Sequence, residues 1–308
     1  MRDPNLLKPI LITKPAQLRS LANTLASEPL IAVDTESNSL HAYQEQVCLI
    51  QFSIPGKDYL VDPLVLDDLS PLAPIFSSPE REKIFHAAEY DLICLKRDFG
   101  FSFVNIFDTM LAARIAGIER VGLGSMLEAE FGVRLNKRHQ RANWGERPLP
   151  DYLLAYARLD THYLITLRDK LRGQLTNMNL LSLAQEDFKR ACRVNDRTPT
   201  PKTELCWRIH GARDLTPQKA TVLQALCLYR DRMAQKLNRP LFKVLNNHKL
   251  LALAQSCPHS NEGLLSTGLT HRQTRLFGNG ILAAITQGLK APPVYSPRRP
   301  RPGGDFVC

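Results

Sequence analysis

Apolar positions in the first hundred residues fall into short blocks, most of them closed by a turn signal. LIAVDTES (30–37) is an apolar run that passes into polar residues. VCLIQFSI (47–54) alternates with β-branched and aromatic residues, and KDYLV (57–61) follows Pro55-Gly56. Three such segments with short connections predict consecutive strands in an antiparallel meander. KIFHAA (83–88) predicts a further strand, then a helix through Asp91, Leu92, Leu95 and Lys96 that stops near Gly100. VNIFDT (104–109) predicts another strand, with Asp108 or Thr109 capping the helix DTMLAARIAG. After Pro150 the spacing in LPDYLLAYARLDTHYLITLRDKLRGQL predicts one amphipathic helix. Strands first, then strand–helix alternation, predict an α/β domain with a mixed sheet over residues 1–195.

Beyond it the character changes. Residues 196–212 carry Pro199, Pro201 and several basic side chains, and are expected to be a linker. Thr216-Pro217 is a helix start, and the apolar spacing continues through Leu223, Leu226, Met233 and Leu237 to Asn238-Arg239-Pro240. A second helix begins near Asn247 and a third covers HRQTRLFGNGILAAITQGL, so residues 213–291 form a small helical bundle. The Pro-, Gly- and Arg-rich tail, 292–308, is expected to be disordered.

The 308 residues are 44% hydrophobic and 23% charged, a soluble globular balance with no apolar stretch of membrane-spanning length. The Pro-interrupted N-terminus does not resemble a signal peptide. Seven cysteines stand singly, which predicts reduced thiols in a cytoplasmic protein, not a disulfide framework or zinc site. Charge is unevenly placed. Residues 1–133 hold 11 Lys and Arg against 18 Asp and Glu, while residues 134–308 hold 29 against 12. A polyanion would be held by the second part and presented to acidic groups in the first, which repel phosphate unless they carry metal.

The acidic residues that matter lie in three segments. Asp34 and Glu36 are two apart in a predicted strand and project from one face. Asp91 opens a predicted helix, and Tyr156 and Asp160 are four apart on one helix face. Carboxylates with this distribution suit hard divalent cations such as Mg2+. Two ions about 4 Å apart can activate a water and receive the departing oxygen in phosphodiester cleavage. Tyr156 is not a general base, since a phenol titrates near ~10; a hydrogen bond to the attacking water suits it better.

At these residues the chain resembles the DEDD family of 3′–5′ exonucleases, in its tyrosine branch. Asp34-Thr35-Glu36 matches the first motif, HAAEYD with His86 and Asp91 the second, and Tyr156-Ala-Arg-Leu-Asp160 the third. The histidine branch would place His at position 155, which is Ala155. Trp144 with Arg147, Pro148 and Leu149 resembles a W-x-x-RPL run of the ribonuclease D group and the related exosome nucleases. Arg230, Asp231, Ala234, Arg239-Pro240, Phe242, Val244 and Leu250 resemble an HRDC domain. The resemblance implies an RNase H-like exonuclease domain followed by an all-helical HRDC-like domain. It implies two divalent metal ions, Mg2+ or Mn2+, with Asp34 bridging both, Glu36 and Asp160 completing one and Asp91 serving the other. It implies removal of 3′-terminal nucleotides as 5′-monophosphates from RNA with a single-stranded 3′ end, tRNA precursors foremost. The protein is expected to act as a monomer.

Blander readings stand beside these. His86 fits a packing role at a strand end, and His162 fits either an outward helix position or a place beside the site. Arg134, Lys137, Arg138, Arg141, Trp144 and Arg147 precede the third motif and are candidates for nucleic-acid contact; Trp144 serves equally as a packing anchor or a base-stacking platform. The HRDC-like segment either binds nucleic acid or braces the fold. A DNA 3′–5′ exonuclease and a catalytically silent nucleic-acid-binding protein remain alternatives.

Overall fold

A computed structural model describes residues 8–136, 138–194 and 202–297. The chain divides into two compact units, one of Met1–His41 and Glu45–Asp196, the other of Ala42–Gln44 and Arg197–Cys308.

The first unit is built on a six-stranded mixed sheet. Its strands are β1 (Ile10–Ile12), β2 (Leu30–Ser37), β3 (Val47–Ile54), β4 (Lys57–Val61), β5 (Glu82–Phe85) and β6 (Ile106–Asp108), in the order β1-β4-β3-β2-β5-β6. β2, β3 and β4 form the expected antiparallel meander; β1 on β4, and β5 and β6 beyond β2, pair in parallel. β3 is buried at every position, so both faces of the sheet are covered. The helices are α1 (Pro15–Ala26), α2 (Ala73–Phe76), α3 (Glu89–Phe99), α4 (Thr109–Ile115), α5 (Leu123–Phe131), α6 (Asp151–Ala157), α7 (Leu159–His162), α8 (Leu164–Asn177) and α9 (Leu181–Ala191). α3 ends at Gly100, whose left-handed φ of 71° suits glycine.

The helix expected after Pro150 is broken into α6, α7 and α8. Around Arg158 the bonding tightens: the Thr161 N–H donates to the Arg158 carbonyl at 3.2 Å. The Thr161 hydroxyl meets Ser53 on β3 at 2.7 Å, drawing the short α7 onto the sheet.

The second unit holds α10 (Lys202–Leu205), α11 (Pro217–Leu237), α12 (Leu241–Val244), α13 (Asn247–Ser256), α14 (Asn261–Ser266) and α15 (His271–Lys290) around Val222, Leu223, Leu226, Leu250, Leu253, Ile281 and Ile285. α11 and α15 pack so closely that a Cβ on Gly288 would lie 2.6 Å from the Val222 backbone. Cys206 and Ile209, from the segment expected to be a linker, are buried in this core; residues 196–201 of that segment lie outside the described residues, as do 298–308 of the tail. Arg230 is buried and donates to the Leu245 carbonyl and Asn247 Oδ1, so it holds α11 to the start of α13. No helix among the described residues is long and apolar enough to cross a membrane.

Candidate active site

β2 and β3 make the floor of the site. Asp34 and Glu36 face one side of the sheet, opposite Gln51 and Leu49 of β3, and the register slips only after Glu36. The same side is covered by α6 and α7, with Leu49, Leu60, Trp144, Leu153, Tyr156 and Ala157 in one apolar cluster. Besides the Ser53–Thr161 contact, His162 Nδ1 meets Asp58 Oδ2 at 2.9 Å. The turn carrying Asp160 is therefore fastened to β3 and β4, with His162 held against Asp58.

Asp91 arrives on α3 by a constrained turn. Ala87 has a φ of 63°, costly for a residue with a Cβ, and Asp108 holds it there by accepting the Ala87 and Ala88 N–H groups at 3.0 and 2.8 Å. Asp108 also caps α4 through Met110 and Leu111, the role expected of it. Asp91 Oδ1 accepts from the Thr35 hydroxyl at 2.5 Å, between Asp34 and Glu36 in sequence.

A cavity of about 450 Å³ is lined by Asp34, Glu36, His86, Gln140, Tyr156 and Asp160, together with the first turn of α5 at Gly122–Ser125. Asp91 stands behind this lining, 6% exposed. Crowding of negative charge marks the site. Burial, then Asp91, Asp160 and Glu36, holds the Asp34 carboxyl well above the usual range. Glu36 is raised by burial, Asp160 and Asp91. Burial lifts Asp91 to about 7, and burial with Asp91 lifts Asp160 to about 8. Burial and the nearby carboxylates push the Tyr156 phenol up, against a hydrogen bond with Gln140. Burial brings His86 down to about 4, so it is neutral at pH 7. The Thr109 hydroxyl donates to the Phe85 carbonyl, so His86 Nδ1 is the donor to Thr109, and Nε2 is left as an acceptor.

Among the described residues no three His, Cys, Asp or Glu side chains converge closely enough to form a ready ion cage. The donor set nevertheless fits divalent ions. Four carboxylates share one neighbourhood and raise one another's proton affinity, which a cation relieves. A buried amide, Gln51, stands opposite Asp34 with no hydrogen-bond partner among the described residues.

A family profile described as a 3′–5′ exonuclease matches residues 9–176. The chain belongs to the DEDD 3′–5′ exonuclease family. An HRDC-domain profile matches residues 219–285. Ribonuclease D of Gluconacetobacter diazotrophicus is 30% identical, over 97% of this chain and 78% of that protein. Protein RRP6-like 1 of Arabidopsis thaliana is 34% identical over 80% of this chain and 41% of its own length. The crystal structure of Escherichia coli RNase D, an exoribonuclease involved in structured RNA processing, matches with a TM-score of 0.73 at 30% identity, over 93% of this chain and 76% of that one. The chain spans about two fifths of the length of the RRP6-type relatives first matched. Members of this exonuclease family use divalent metal ions.

Packing draws two of the nucleic-acid candidates into the interior. Trp144 is 1% exposed, with its ring centroid 6.3 Å from that of Tyr156, so it anchors the loop and offers no face to a base. Arg147 spends all five donors internally, on both oxygens of Asp62 and on the carbonyls of Trp144, Glu146 and Cys48. Of the remaining candidates, Arg134, Arg138 and Arg141 are exposed, Arg134 with a 2.7 Å ion pair to Glu128; Lys137 lies outside the described residues. Gln140 was not singled out by sequence: an uncharged residue in a basic loop carries no periodic or motif signal.

Proposed function

We propose that this protein is a 3′–5′ exoribonuclease that removes 3′-terminal nucleotides as 5′-monophosphates with two divalent ions, Mg2+ or Mn2+. The observation that carries this reading is the cavity in which Asp34, Glu36, Asp160 and Tyr156 face one space, with Asp91 behind them. Asp34, Glu36, Asp91 and Asp160 would hold the ions, whose positive charge would supply activation of the attacking water and stabilisation of the departing 3′ oxygen. Tyr156 keeps its proton, because burial and the carboxylates oppose its loss; it therefore orients the water by donating a hydrogen bond, and Gln140 steadies the phenol. Neutral His86 lines the same cavity with Nε2 as an acceptor.

The cavity takes a terminal nucleotide drawn away from a helix, so the substrate is RNA with a single-stranded 3′ end. Likeness to an RNase D of structured-RNA processing supports tRNA precursors and other RNAs with 3′ trailers. Exposed Arg134, Arg138 and Arg141 lie in the same stretch of chain as the cavity residue Gln140 and supply phosphate contacts. The free cysteines among the described residues fit a reducing compartment, the cytoplasm.

Digestion of a 5′-labelled RNA with an unpaired 3′ tail, beside its DNA counterpart, with Mg2+, Mn2+ or chelator, tests this. The expected result is a metal-dependent ladder shortening from the 3′ end, faster on RNA, lost in Asp34→Asn while RNA binding persists. Faster loss of DNA would overturn the substrate class. Binding without shortening in either metal would leave a silent binding protein.

A further inference from the structure

One polar side chain under the site has no role in the mechanism above. Gln51 is 0% exposed, and among the described residues neither its Nε2 nor its Oε1 has a hydrogen-bond partner. Each unmade bond of a buried amide costs free energy, and such groups are rare enough to need a reason. The surroundings would suit an apolar residue better. Leu60 stands directly opposite on β4, and Leu49 is the next residue on the same face of β3.

The register supplies the reason. Gln51 pairs with Asp34 across β2 and β3. Cross-strand partners in antiparallel strands project to one face with Cβ atoms about 5 Å apart, so the amide is within a side-chain length of the Asp34 carboxylate. Ser53, two residues along on the same face, bonds Thr161 at 2.7 Å, next to Asp160. Gln51 thus sits between the strand that carries Asp34 and the turn that carries Asp160.

We propose that Gln51 is a positioning residue for the ion ligands: its Nε2 donates to the Asp34 carboxylate, and so fixes the orientation of the ligand. The inference rests on reading the carboxylate cluster as a divalent-ion site. A carboxylate with one oxygen on a cation still has lone pairs to share, and ligating carboxylates are commonly held by such outer hydrogen bonds. The apolar cluster around the amide keeps competing water away from that bond.

Gln51→Met, compared with the wild type by Mn2+ calorimetry and by melting in chelator, tests it. Met fills a similar volume and removes the unpaired amide, so the chelated variant melts at or above the wild-type temperature. Its Mn2+ affinity falls about 10–100-fold, and its RNA cleavage, weak at low Mn2+, recovers as Mn2+ is raised. A variant that melts lower yet binds Mn2+ as well as the wild type would overturn the proposal and make Gln51 a structural residue. Absence of Mn2+ binding by the wild type would instead bring down the ion-site reading on which it rests. Should Gln51→Met fail to fold, the side-chain amide protons of Gln51 in the wild type decide, followed by NMR as Mg2+ is added. A downfield shift with slowed solvent exchange supports the bond, and unchanged signals overturn it.

Discussion

Asp160→Asn separates what the carboxylate cluster costs from what it does. The Asp160 side chain is 7% exposed, and burial together with Asp91 holds its carboxyl at about 8 against an ordinary 3.8. A folded-state value above the unfolded one means the fold binds an extra proton between roughly pH 4 and 8, so stability falls as pH rises through that window. At pH 7.5 the displacement bounds the cost on the order of 5 kcal/mol. Asp91, at about 7, belongs to the same coupled cluster, so the two costs are shared and do not simply add. Asn keeps the shape and removes the charge. In chelator at pH 7.5 the variant should be more stable than the wild type by about 1–3 kcal/mol, roughly 2–10 °C in Tm. The gap should shrink toward pH 5.

Divalent metal reverses that order. Ligand binding to the fold alone stabilises by RT ln(1 + [L]/Kd), about 2.7 kcal/mol at a hundredfold excess over Kd. The wild type gains this, and the variant, one ligand short, gains less and does not cleave. Thermal melts of both proteins at pH 5 and 7.5, in chelator and in Mn2+, make the four comparisons. A variant that melts below the wild type in chelator at pH 7.5, or a gap equal at both pH values, would refute the reasoning.

Tyr156→Phe should slow RNA cleavage by about 10²–10⁴ with RNA affinity unchanged; single-turnover rates that match the wild type would remove the phenol from the mechanism. Trp144→Ala should cost about 3–5 kcal/mol in chemical denaturation, since the indole is 1% exposed; unchanged stability with weakened RNA binding would restore the stacking role. Burial lowers Lys83 to about 8 from 10.5, its Nζ donating to the Ser78 and Arg81 carbonyls at 2.7 Å each. The unfolded chain therefore binds more protons between about pH 8 and 10.5, and wild-type stability relative to Lys83→Met should rise by about 1–2 kcal/mol from pH 8 to 9.5. A flat difference in denaturation midpoint over that range would count against a charge-desolvated lysine.

What the sequence disclosed and what it hid divide by the range of the interaction. The meander, the cap at Asp108, the start at Thr216-Pro217 and the shared face of Asp34 and Glu36 depend on neighbours within one turn or one strand period, which spacing records. The break in the helix after Pro150 does not: its apolar spacing runs unbroken, and the bond that draws α7 aside comes from Ser53, 108 residues away. β1 and α1 escaped notice because Pro9 and Pro15 read as interruptions, whereas Pro15 occupies the first turn of α1, where a missing N–H costs nothing. Charge was misread for the same reason of range. Arg147 pairs with Asp62, 85 residues earlier, and Arg168 with Glu82, 86 residues earlier, while buried Arg230 serves the Leu245 carbonyl and Asn247. A count of basic residues treats these as surface, so the excess in residues 134–308 overstates what remains to hold a phosphate backbone. Electrostatic attraction to RNA should therefore depend on a few exposed side chains, Arg134, Arg138 and Arg141 among them, and removing those three together should lower the salt dependence of binding by up to about three phosphate contacts.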